Sequence, residues 1–261
     1  MNIPLITPEL AEAFIIVLVR VGAMIMMVPT FGDASVPASV KWGLTIMITL
    51  LLFPVVKAGI PPTGDLELVP LVLGIAGEIF IGVIIGFATR IIFGGIQLAG
   101  EMLGFQMGFS AASVLDPTSS VQVSVVAEFL YLMSLLLFMT VNAHHIFISA
   151  IAESYQAAPP LTIHFSGPLL QTLLTLAKDL FVIAIKISAP VMAVLLFTNV
   201  AMGLVARTVP QMNIFIVSFP LQIAVGLIFI GIAAPVFFKV AQNLFLGLAG
   251  ETGMLMRLMR I

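Results

Sequence analysis

Residues 69–96 read VPLVLGIAGEIFIGVIIGFATRIIFGGI, an apolar run interrupted by two charged residues, Glu78 and Arg90. In an α-helix with a rise of about 1.5 Å per residue, about 20 apolar residues cross a hydrocarbon core of about 30 Å. This run is long enough to cross a bilayer as one helix. It therefore predicts a membrane helix, and it sets the fold class of the whole chain.

Five similar apolar runs flank this one, at residues 13–31, 40–60, 121–151, 173–202 and 214–240. Breaks rich in proline and glycine separate the runs, among them Pro61-Pro62-Thr63-Gly64-Asp65. No long polar domain interrupts them. The sequence predicts an all-α polytopic membrane protein of long helices and helical hairpins, with residues 1–261 forming a single integral membrane domain.

The composition excludes several other classes of protein. Of the 261 residues 61% are apolar and 8% are charged, whereas a soluble domain has about 45–50% apolar and about 25% charged residues. A net charge of −2 is not the basic footprint of a nucleic-acid-binding protein. The absence of cysteine excludes disulfides, iron–sulfur clusters and thiolate metal sites. Residues 1–12 lack the features of a signal peptide, so we expect the first run to be retained.

The charges at the two ends of the chain predict its orientation. Arg257 and Arg260 favour a cytoplasmic C-terminus, and the segment before Ala13, which has no basic residue, favours an outside N-terminus. Ends on opposite sides require an odd number of crossings, so one of the six runs is expected to be re-entrant, hairpinned or buried in protein. Runs 121–151 and 173–202 exceed one crossing and fit tilted helices, kinked helices or hairpins. Pro190 predicts a kink in the latter.

Catalytic signatures are missing from the sequence. It contains no zinc-binding His-Glu-x-x-His, no Gly-x-Ser-x-Gly elbow, no phosphate loop and no dinucleotide fingerprint. The adjacent residues His144 and His145 would point about 100° apart on a helix and cannot chelate one metal ion, so we interpret them as an interface or helix-end pair. The sequence predicts no catalytic, cofactor-binding or metal site, and a protein that is not an enzyme.

Charged residues inside the apolar runs are a stronger functional signal, because each costs several kcal/mol in hydrocarbon unless it is paired or faces water. A proton or ion relay is one interpretation of these residues. Salt bridges between subunits are the favoured one, because the acids do not cluster on one helix face. Asp179 and Lys186 share a helix face, while Lys178 beside Asp179 is also typical of a helix end. The charged residues in or near the runs are Arg20, Glu78, Arg90, Glu101, Glu128, Lys178, Asp179, Lys186 and Lys239.

Glycines at four-residue spacing, Gly82 with Gly86 and Gly100 with Gly104 and Gly108, predict close helix packing. The stretch 104–122, GFQMGFSAASVLDPTSSVQ, has Asp116 as its one charge and predicts a loop, in which Asp116-Pro117 fits a helix N-cap followed by proline. Irregular backbone at membrane depth is tolerated where it is buried in protein or lines a water-filled cavity. A pore-lining loop is therefore the functional hypothesis, and an ordinary exposed connection is the alternative.

Motifs along nearly the whole chain resemble those of the FliR family, the flagellar biosynthetic membrane proteins of the type III export gate. Ala143 departs from that family, which usually has glycine between Asn and His. The matching motifs are Leu18-x-Arg20-x-Gly22 with Pro29 and Pro37, Gln97-Leu98-Ala99-Gly100-Glu101-x-x-Gly104-Phe105-Gln106-Met107-Gly108, Asp116-Pro117, Asn142-Ala143-His144-His145, Ala189-Pro190 and, as the most specific segment, Asn199-x-Ala201-x-Gly203-Leu204-x-x-Arg207-x-x-Pro210-Gln211-x-Asn213-Ile214-Phe215 with Phe219-Pro220.

The resemblance implies a structural channel subunit in the bacterial inner membrane, within the flagellar basal body, that needs no cofactor. It would assemble with FliP- and FliQ-like subunits into a helical gate, in company with FlhA- and FlhB-like components and membrane lipid, and pass unfolded flagellar proteins. Residues 1–65 would be similar in architecture to FliQ, and residues 66–261 to FliP. A gate lifted partly out of the bilayer would account for buried charges and for more apolar runs than crossings.

The resemblance also implies two sets of site residues. One set is a loop that projects into the channel as a plug. The plug residues are Gln106, Met107, Gly108, Phe109, Ser110, Ala111, Ala112, Ser113, Val114, Leu115, Asp116, Pro117, Thr118, Ser119, Ser120, Val121 and Gln122. The other set serves assembly and packing, and consists of Arg20, Gly100, Glu101, Gly104, Asn199, Gly203, Arg207, Pro210 and Gln211.

Three alternative functions compete with this hypothesis. A secondary transporter would use charges and broken helices near the midplane, but the two halves of the sequence contain no convincing repeat. An intramembrane enzyme would need the missing catalytic motifs. The gate of a virulence injectisome would share the architecture, although the motifs are closer to the flagellar family.

Overall fold

The computed structural model describes residues 8–60, 68–109, 124–161, 166–209, 211 and 213–259. Within these residues all regular structure is helical, which confirms the predicted all-α class. The helices are α1 (Pro8–Met27), α2 (Pro29–Gly32), α3 (Ala38–Val56), a 3-10 turn (Lys57–Gly59), α4 (Leu68–Gln106), α5 (Val125–Thr140), α6 (Ala143–Ala157), α7 (Gly167–Thr208) and α8 (Ile214–Leu258).

Five of the described helices, α1, α3, α4, α7 and α8, are long and apolar enough to cross a membrane. The run 121–151 is not one helix: α5 and α6 are bent by 68° at a short break, as in a broken span or a re-entrant pair. By length and composition the described part of the chain holds five candidate crossings, or six if the bent pair counts as one. The run 121–151 is thus the one that departs from a simple crossing.

Several helix boundaries differ from the apolar runs. The run 13–31 is interrupted at Val28, which has an extended backbone (φ −80°, ψ 121°), because the following Pro29 lacks an N–H and disfavours helical geometry in the residue before it. In contrast, α4 and α8 continue beyond their runs to Gln106 and Leu258. Polar residues and glycines lower hydropathy without preventing a helix that is packed against its neighbours.

The run 173–202 lies within one helix, α7, which continues through Pro190. The hairpin alternative for this run is therefore wrong. Lys178 and Asp179 lie inside the helix, so their interpretation as a helix end is also wrong.

The contacts within the chain divide it into two compact units. Unit 1 comprises Met1–Arg90, Asn142–Leu176 and Leu246–Ile261, and unit 2 comprises Ile91–Val141 and Ala177–Phe245. In unit 1, α1 buries Ile16, Val17 and Met24. The rings of Phe14 on α1 and Phe53 on α3 meet edge to face at 5.5 Å.

Three phenylalanines form the centre of unit 2. Phe93 of α4, Phe138 of α5 and Phe245 of α8 are almost completely buried, and their ring centroids are 5.2–5.5 Å apart. Tilted and edge-to-face aromatic pairs at this separation each contribute about 0.5–1.5 kcal/mol beyond the burial of their surface. This cluster joins three helices that are distant in sequence.

Large apolar side chains also cover the outside of the long helices. Val55 of α3 is 74% exposed, Phe197 of α7 is 73% exposed and Ile216 of α8 is 69% exposed. Soluble monomers rarely expose apolar surface on this scale. The surface therefore requires lipid or other protein chains to cover it.

Candidate functional site

The predicted plug follows the end of α4 in unit 2. Gln106 is the last residue of α4, so the helix continues three residues into the predicted loop 104–122 and one residue into the predicted plug, with Met107 and Gly108 in a turn. Residues 110–122 of the predicted plug, with the proposed Asp116-Pro117 cap, lie outside the described residues. The role of the plug therefore stays a prediction.

The end of α4 is defined by Gly108. The Met107 N–H donates to the Leu103 carbonyl at 2.9 Å, and the Gly108 N–H donates to the Phe105 carbonyl at 3.1 Å. Gly108 has φ +87°, a left-handed conformation that is typical of glycine at a helix C-terminus. The third glycine of the repeat thus terminates the helix.

The other two glycines of the repeat, Gly100 and Gly104, pack against the N-terminus of α5. A methyl group on Gly100 would overlap the backbone of Ala127, and one on Gly104 would overlap the hydroxyl of Ser124. Ser124 is the N-cap of α5, and its Oγ accepts a hydrogen bond from the Ala127 N–H at 3.4 Å. The close packing predicted from the glycine spacing is confirmed here. The two helices joined by residues 107–124 are consequently held against each other.

Gly100→Ala is expected to destabilise the protein by about 1–3 kcal/mol, because the backbone of Ala127 must move to admit the methyl group. The matched control is Gly231→Ala on α8, where a methyl group meets nothing within 4 Å. The control should be neutral or slightly stabilising, since alanine favours helix over glycine by about 1 kcal/mol. Thermal unfolding in detergent measures both variants, and equal midpoints would contradict the packing argument.

A buried ion pair lies in unit 1. Arg20 of α1 and Glu78 of α4 are both fully buried, with Arg20 Nε and Glu78 Oε2 2.6 Å apart. Arg20 Nη1 also donates to the carbonyl oxygens of Ser154 at 3.1 Å and Ala158 at 2.9 Å. These two charges pair within the chain, so the interpretation that they form salt bridges between subunits is wrong.

Arg20 and Glu78 also contact residues of α6 and of the turn after it, and a residue of α6 binds α1. The Arg20 guanidinium lies 4.4 Å from the centroid of the Tyr155 ring, and the Tyr155 hydroxyl donates to the Val17 carbonyl at 3.0 Å. Glu78 Oε1 accepts a hydrogen bond of 2.8 Å from the N–H of Leu161, a residue with φ 64°. The Arg20–Glu78 pair thus links α1, α4, α6 and the turn that follows α6.

The assembly residues on α7 and after it have different surroundings. Asn199 Oδ1 accepts a hydrogen bond from Gln222 Nε2 of α8, and Gln222 Nε2 also lies 2.7 Å from Ser218 Oγ. Gly203, Arg207 and Gln211 are exposed in the chain, as is Glu101 on α4. Pro210 lies outside the described residues. The structure therefore gives Asn199 a partner and leaves Arg207 at the surface, in the last turn of α7.

Sequence reasoning missed Gln222 and Ser218. Their signal was weak: an amide inside an apolar run, with no partner visible nearby in sequence. Because a polar group in an apolar bundle needs a hydrogen-bond partner, Gln222 was a candidate for contact with another buried amide.

The histidine pair lies at a helix end. His144 and His145 occupy the first turn of α6, with ring centroids 4.2 Å apart, which confirms the helix-end interpretation. The left-handed residue at this turn is Asn142, with φ 55°, and Ala143 is a buried helical residue. Alanine therefore fits the position where the family usually has glycine.

In the part of the chain that the structure describes, no group of three or more His, Asp or Glu residues is placed to hold a metal ion.

Unit 2 also contains an open cavity of about 270 Å³ between α4, α5, α7 and α8. Its lining is apolar and includes Leu103, Phe129, Val191 and Phe237. A lining of this kind favours an apolar occupant and supplies no group for proton transfer.

Comparison with known proteins gives consistent matches over most of the chain. The family model for bacterial export proteins, family 1, matches residues 11–248. The chain is similar to the flagellar biosynthetic protein FliR of Bacillus subtilis (strain 168), with 33% identity over 240 residues, covering 91% of this chain and 92% of that protein. It is 34% identical to FliR of Pectobacterium carotovorum subsp. carotovorum over 230 residues and 32% identical to FliR of Escherichia coli (strain K12) over 228 residues. Each of these two alignments covers 87% of this chain and 86% of the relative.

Proposed function

The chain belongs to the bacterial export proteins of family 1, and from this premise we propose that it is a structural, non-enzymatic subunit of the flagellar type III protein export channel. Its place would be the inner membrane, in the flagellar basal body, with a cytoplasmic C-terminus. The observation that carries the proposal is the match to FliR proteins over 87–91% of the chain.

Within this channel the protein would assemble with FliP- and FliQ-like subunits, beside FlhA- and FlhB-like components, and unfolded flagellar proteins would pass through. Residues 1–65 would form the FliQ-like part and residues 66–261 the FliP-like part. The packing of α1 against α3, for example at Phe14 and Phe53, supports the pairing of these two N-terminal helices, which belong to unit 1 together with part of α4 and with α6.

The lengths of three helices support assembly with other subunits. Helices α4, α7 and α8 have 39, 42 and 45 residues, which correspond to contour lengths of about 58, 63 and 68 Å. A hydrocarbon core of about 30 Å accommodates about 39 Å of a helix even at a tilt of about 40°. Part of each helix therefore lies outside the core, although these helices are apolar and expose large side chains. Neighbouring protein chains would bury the apolar surface of the helix segments that lie outside the core.

The plug is proposed to comprise residues 106–122, which would close the channel in the absence of a passing chain. Their composition supports this role, since small, hydroxyl and apolar side chains can close around many sequences without binding one of them. The packing of α5 against α4 at Gly100 and Gly104 supports it further, because it holds the helices that flank the plug.

Co-expression of the tagged chain with its neighbouring membrane genes tests the proposed function. Purification in mild detergent should yield a large complex that contains FliP- and FliQ-like chains. A stable monomer or simple dimer without those chains would contradict the proposal and favour the secondary transporter, which solute-uptake assays would then examine.

Arg207→Glu is expected to reduce recovery of this complex several-fold. Arg207 is exposed in the last turn of α7, so charge reversal should cost the isolated chain about 0.3–1 kcal/mol through the helix dipole. A larger loss at the level of the complex would reflect a missing contact with a partner. The control is Arg257→Glu, an exposed arginine in the last turn of α8 outside the family motif. Normal recovery of the Arg207→Glu complex would contradict the assembly role.

A further inference from the structure

A pair of side-chain amides joins α7 and α8 within unit 2. Gln222 Nε2 of α8 donates to Asn199 Oδ1 of α7, and it also donates to Ser218 Oγ, which lies 2.7 Å away on α8. Both N–H groups of Gln222 are therefore used inside the chain. We call Asn199 and Gln222 the amide pair.

The other half of each amide is unused. Among the residues that the structure describes, Asn199 Nδ2 donates to no acceptor and Gln222 Oε1 accepts from no donor. Gln222 is 8% exposed and Asn199 is half-buried, yet neither free atom is completely enclosed by the chain. The amide pair thus presents one free donor and one free acceptor, on two amides that touch, at the surface of unit 2.

The face of α7 that carries Asn199 is open to close approach. Asn199, Gly203 and Arg207 are spaced four residues apart and share this face. A methyl group on Gly203 would meet nothing within 4 Å, so no contact among the described residues requires a glycine there. Glycine weakens a helix interior, and an open glycine lets the backbone of another helix come close. This face is therefore typical of a contact between helices of different chains.

Exposed apolar side chains surround the amide pair. Phe197, Val200 and Leu204 of α7 are 73%, 55% and 62% exposed. A lipid acyl chain would cover these side chains, but it offers no hydrogen bond to the two free amide groups, and an unpaired polar group in apolar surroundings costs free energy. The observations therefore favour a protein helix over lipid as the cover of this face.

We propose that the amide pair is a docking site for a helix of a neighbouring subunit that carries an asparagine or glutamine side chain. The inference rests on the proposed function. A helix has already used its backbone groups, so its side chains supply the hydrogen bonds to a partner. A carboxamide has an oxygen for Asn199 Nδ2 and an N–H for Gln222 Oε1, which no charged side chain offers together. Arg207, about 12 Å along the same face, would pair with an acidic residue of that helix.

Asn199→Asp tests the unused donor while it keeps the contact inside the chain. Aspartate retains the oxygen that accepts from Gln222, but it replaces Nδ2 by a second acceptor, which faces the oxygen of the partner. Recovery of the complex with FliP- and FliQ-like chains should fall about tenfold, whereas the thermal unfolding midpoint of the chain in detergent should stay close to that of the wild type. The control is Asn243→Asp, which places the same charge at an exposed position of α8.

Gln222→Glu is the reverse variant. It removes the N–H groups that bind Asn199 and Ser218 but keeps Oε1, so it should lower the unfolding midpoint. An Asn199→Asp midpoint as low as that of Gln222→Glu would overturn the proposal, because Nδ2 would then serve the chain itself. Equal losses of complex for Asn199→Asp and Asn243→Asp would also overturn it, because the added charge would explain both.

Photo-crosslinking identifies what covers the amide pair. The photo-reactive residue p-benzoylphenylalanine in place of Gly203, in the full chain within the purified complex, should link to a neighbouring subunit. The linked helix should contain an asparagine or glutamine and, about eight residues away, an acidic residue opposite Arg207. The control carries the same photo-reactive residue in place of Gly231 on α8, where nothing lies within 4 Å, and should not yield this linked peptide.

The outcomes separate the inference from the proposed function. If the wild-type complex assembles but the link at position 203 goes to lipid, to a second copy of this chain or to a helix without a carboxamide, the inference fails and the proposed function stands. Unchanged recovery of the Asn199→Asp complex would have the same meaning. If the wild-type chain recovers no FliP- or FliQ-like subunit, the proposed function fails, and the inference fails with it.

Discussion

Arg20→Met is expected to remove most of the protein from the membrane. The substitution leaves the Glu78 carboxylate buried with its ion-pair partner gone. It also removes the Arg20 donor from the carbonyls of Ser154 and Ala158, of which the Ser154 carbonyl keeps the N–H of Ala158. Breaking a buried ion pair on one side costs about 3–5 kcal/mol. Because folded proteins are stable by about 5–15 kcal/mol, this loss is a large fraction of the total. Quantitative immunoblotting of membrane fractions and thermal unfolding in detergent measure it.

Two further variants make this prediction specific. Arg90→Met removes an exposed arginine of α4 and should leave the protein level unchanged. Arg20→Met combined with Glu78→Leu removes both buried charges and should recover part of the lost stability. Wild-type levels of the Arg20→Met protein would mean that the ion pair does not hold α1, α4 and α6 together.

Deletion of residues 109–113 is expected to make cells with an assembled channel leaky to small solutes. The deletion shortens the proposed plug but leaves Gly100, Gly104 and their contacts with α5 intact, so the flanking helices should stay in place. Export of flagellar proteins should persist, since the deletion opens the path. Uptake of a small impermeant dye and sensitivity to small toxic solutes measure the leak.

The control for this deletion is the same variant in cells that lack the FliP-like subunit. No channel should assemble there, and permeability should return to the background level. Unchanged permeability in cells with a complete complex would contradict the role of residues 106–122 as a plug.

Much of the fold was predictable from the sequence because hydropathy is a local property. A run such as residues 69–96 has no water to satisfy its backbone, so it must satisfy its own hydrogen bonds as a helix. The spacing of Gly100 and Gly104 predicted a close helix contact for a similar reason: residues four apart share one face. The family motifs, read together, predicted the family to which the chain belongs.

Other features could not be predicted from the sequence, because they depend on which faces of distant helices pack against each other. The partner of Arg20 lies 58 residues away, and the carbonyls that it binds lie more than 130 residues away. The continuation of α7 through Pro190 depends on packing that a hydropathy average does not contain. Gly108 has the spacing of a packing glycine, yet it ends α4.

For the candidate site, too, the sequence predicted some features and only the tertiary structure showed the others. Composition alone determined that residues 104–122 differ from the apolar runs around them and contain one charge. Only the tertiary structure decided that Met107 lies on Gly226, that Phe219 lies on Gly108, and that Gln222 binds Asn199. Hydropathy and residue spacing are properties of a single helix and do not depend on what that helix packs against. The contacts between distant helices form only when those helices have a fixed position and rotation relative to one another.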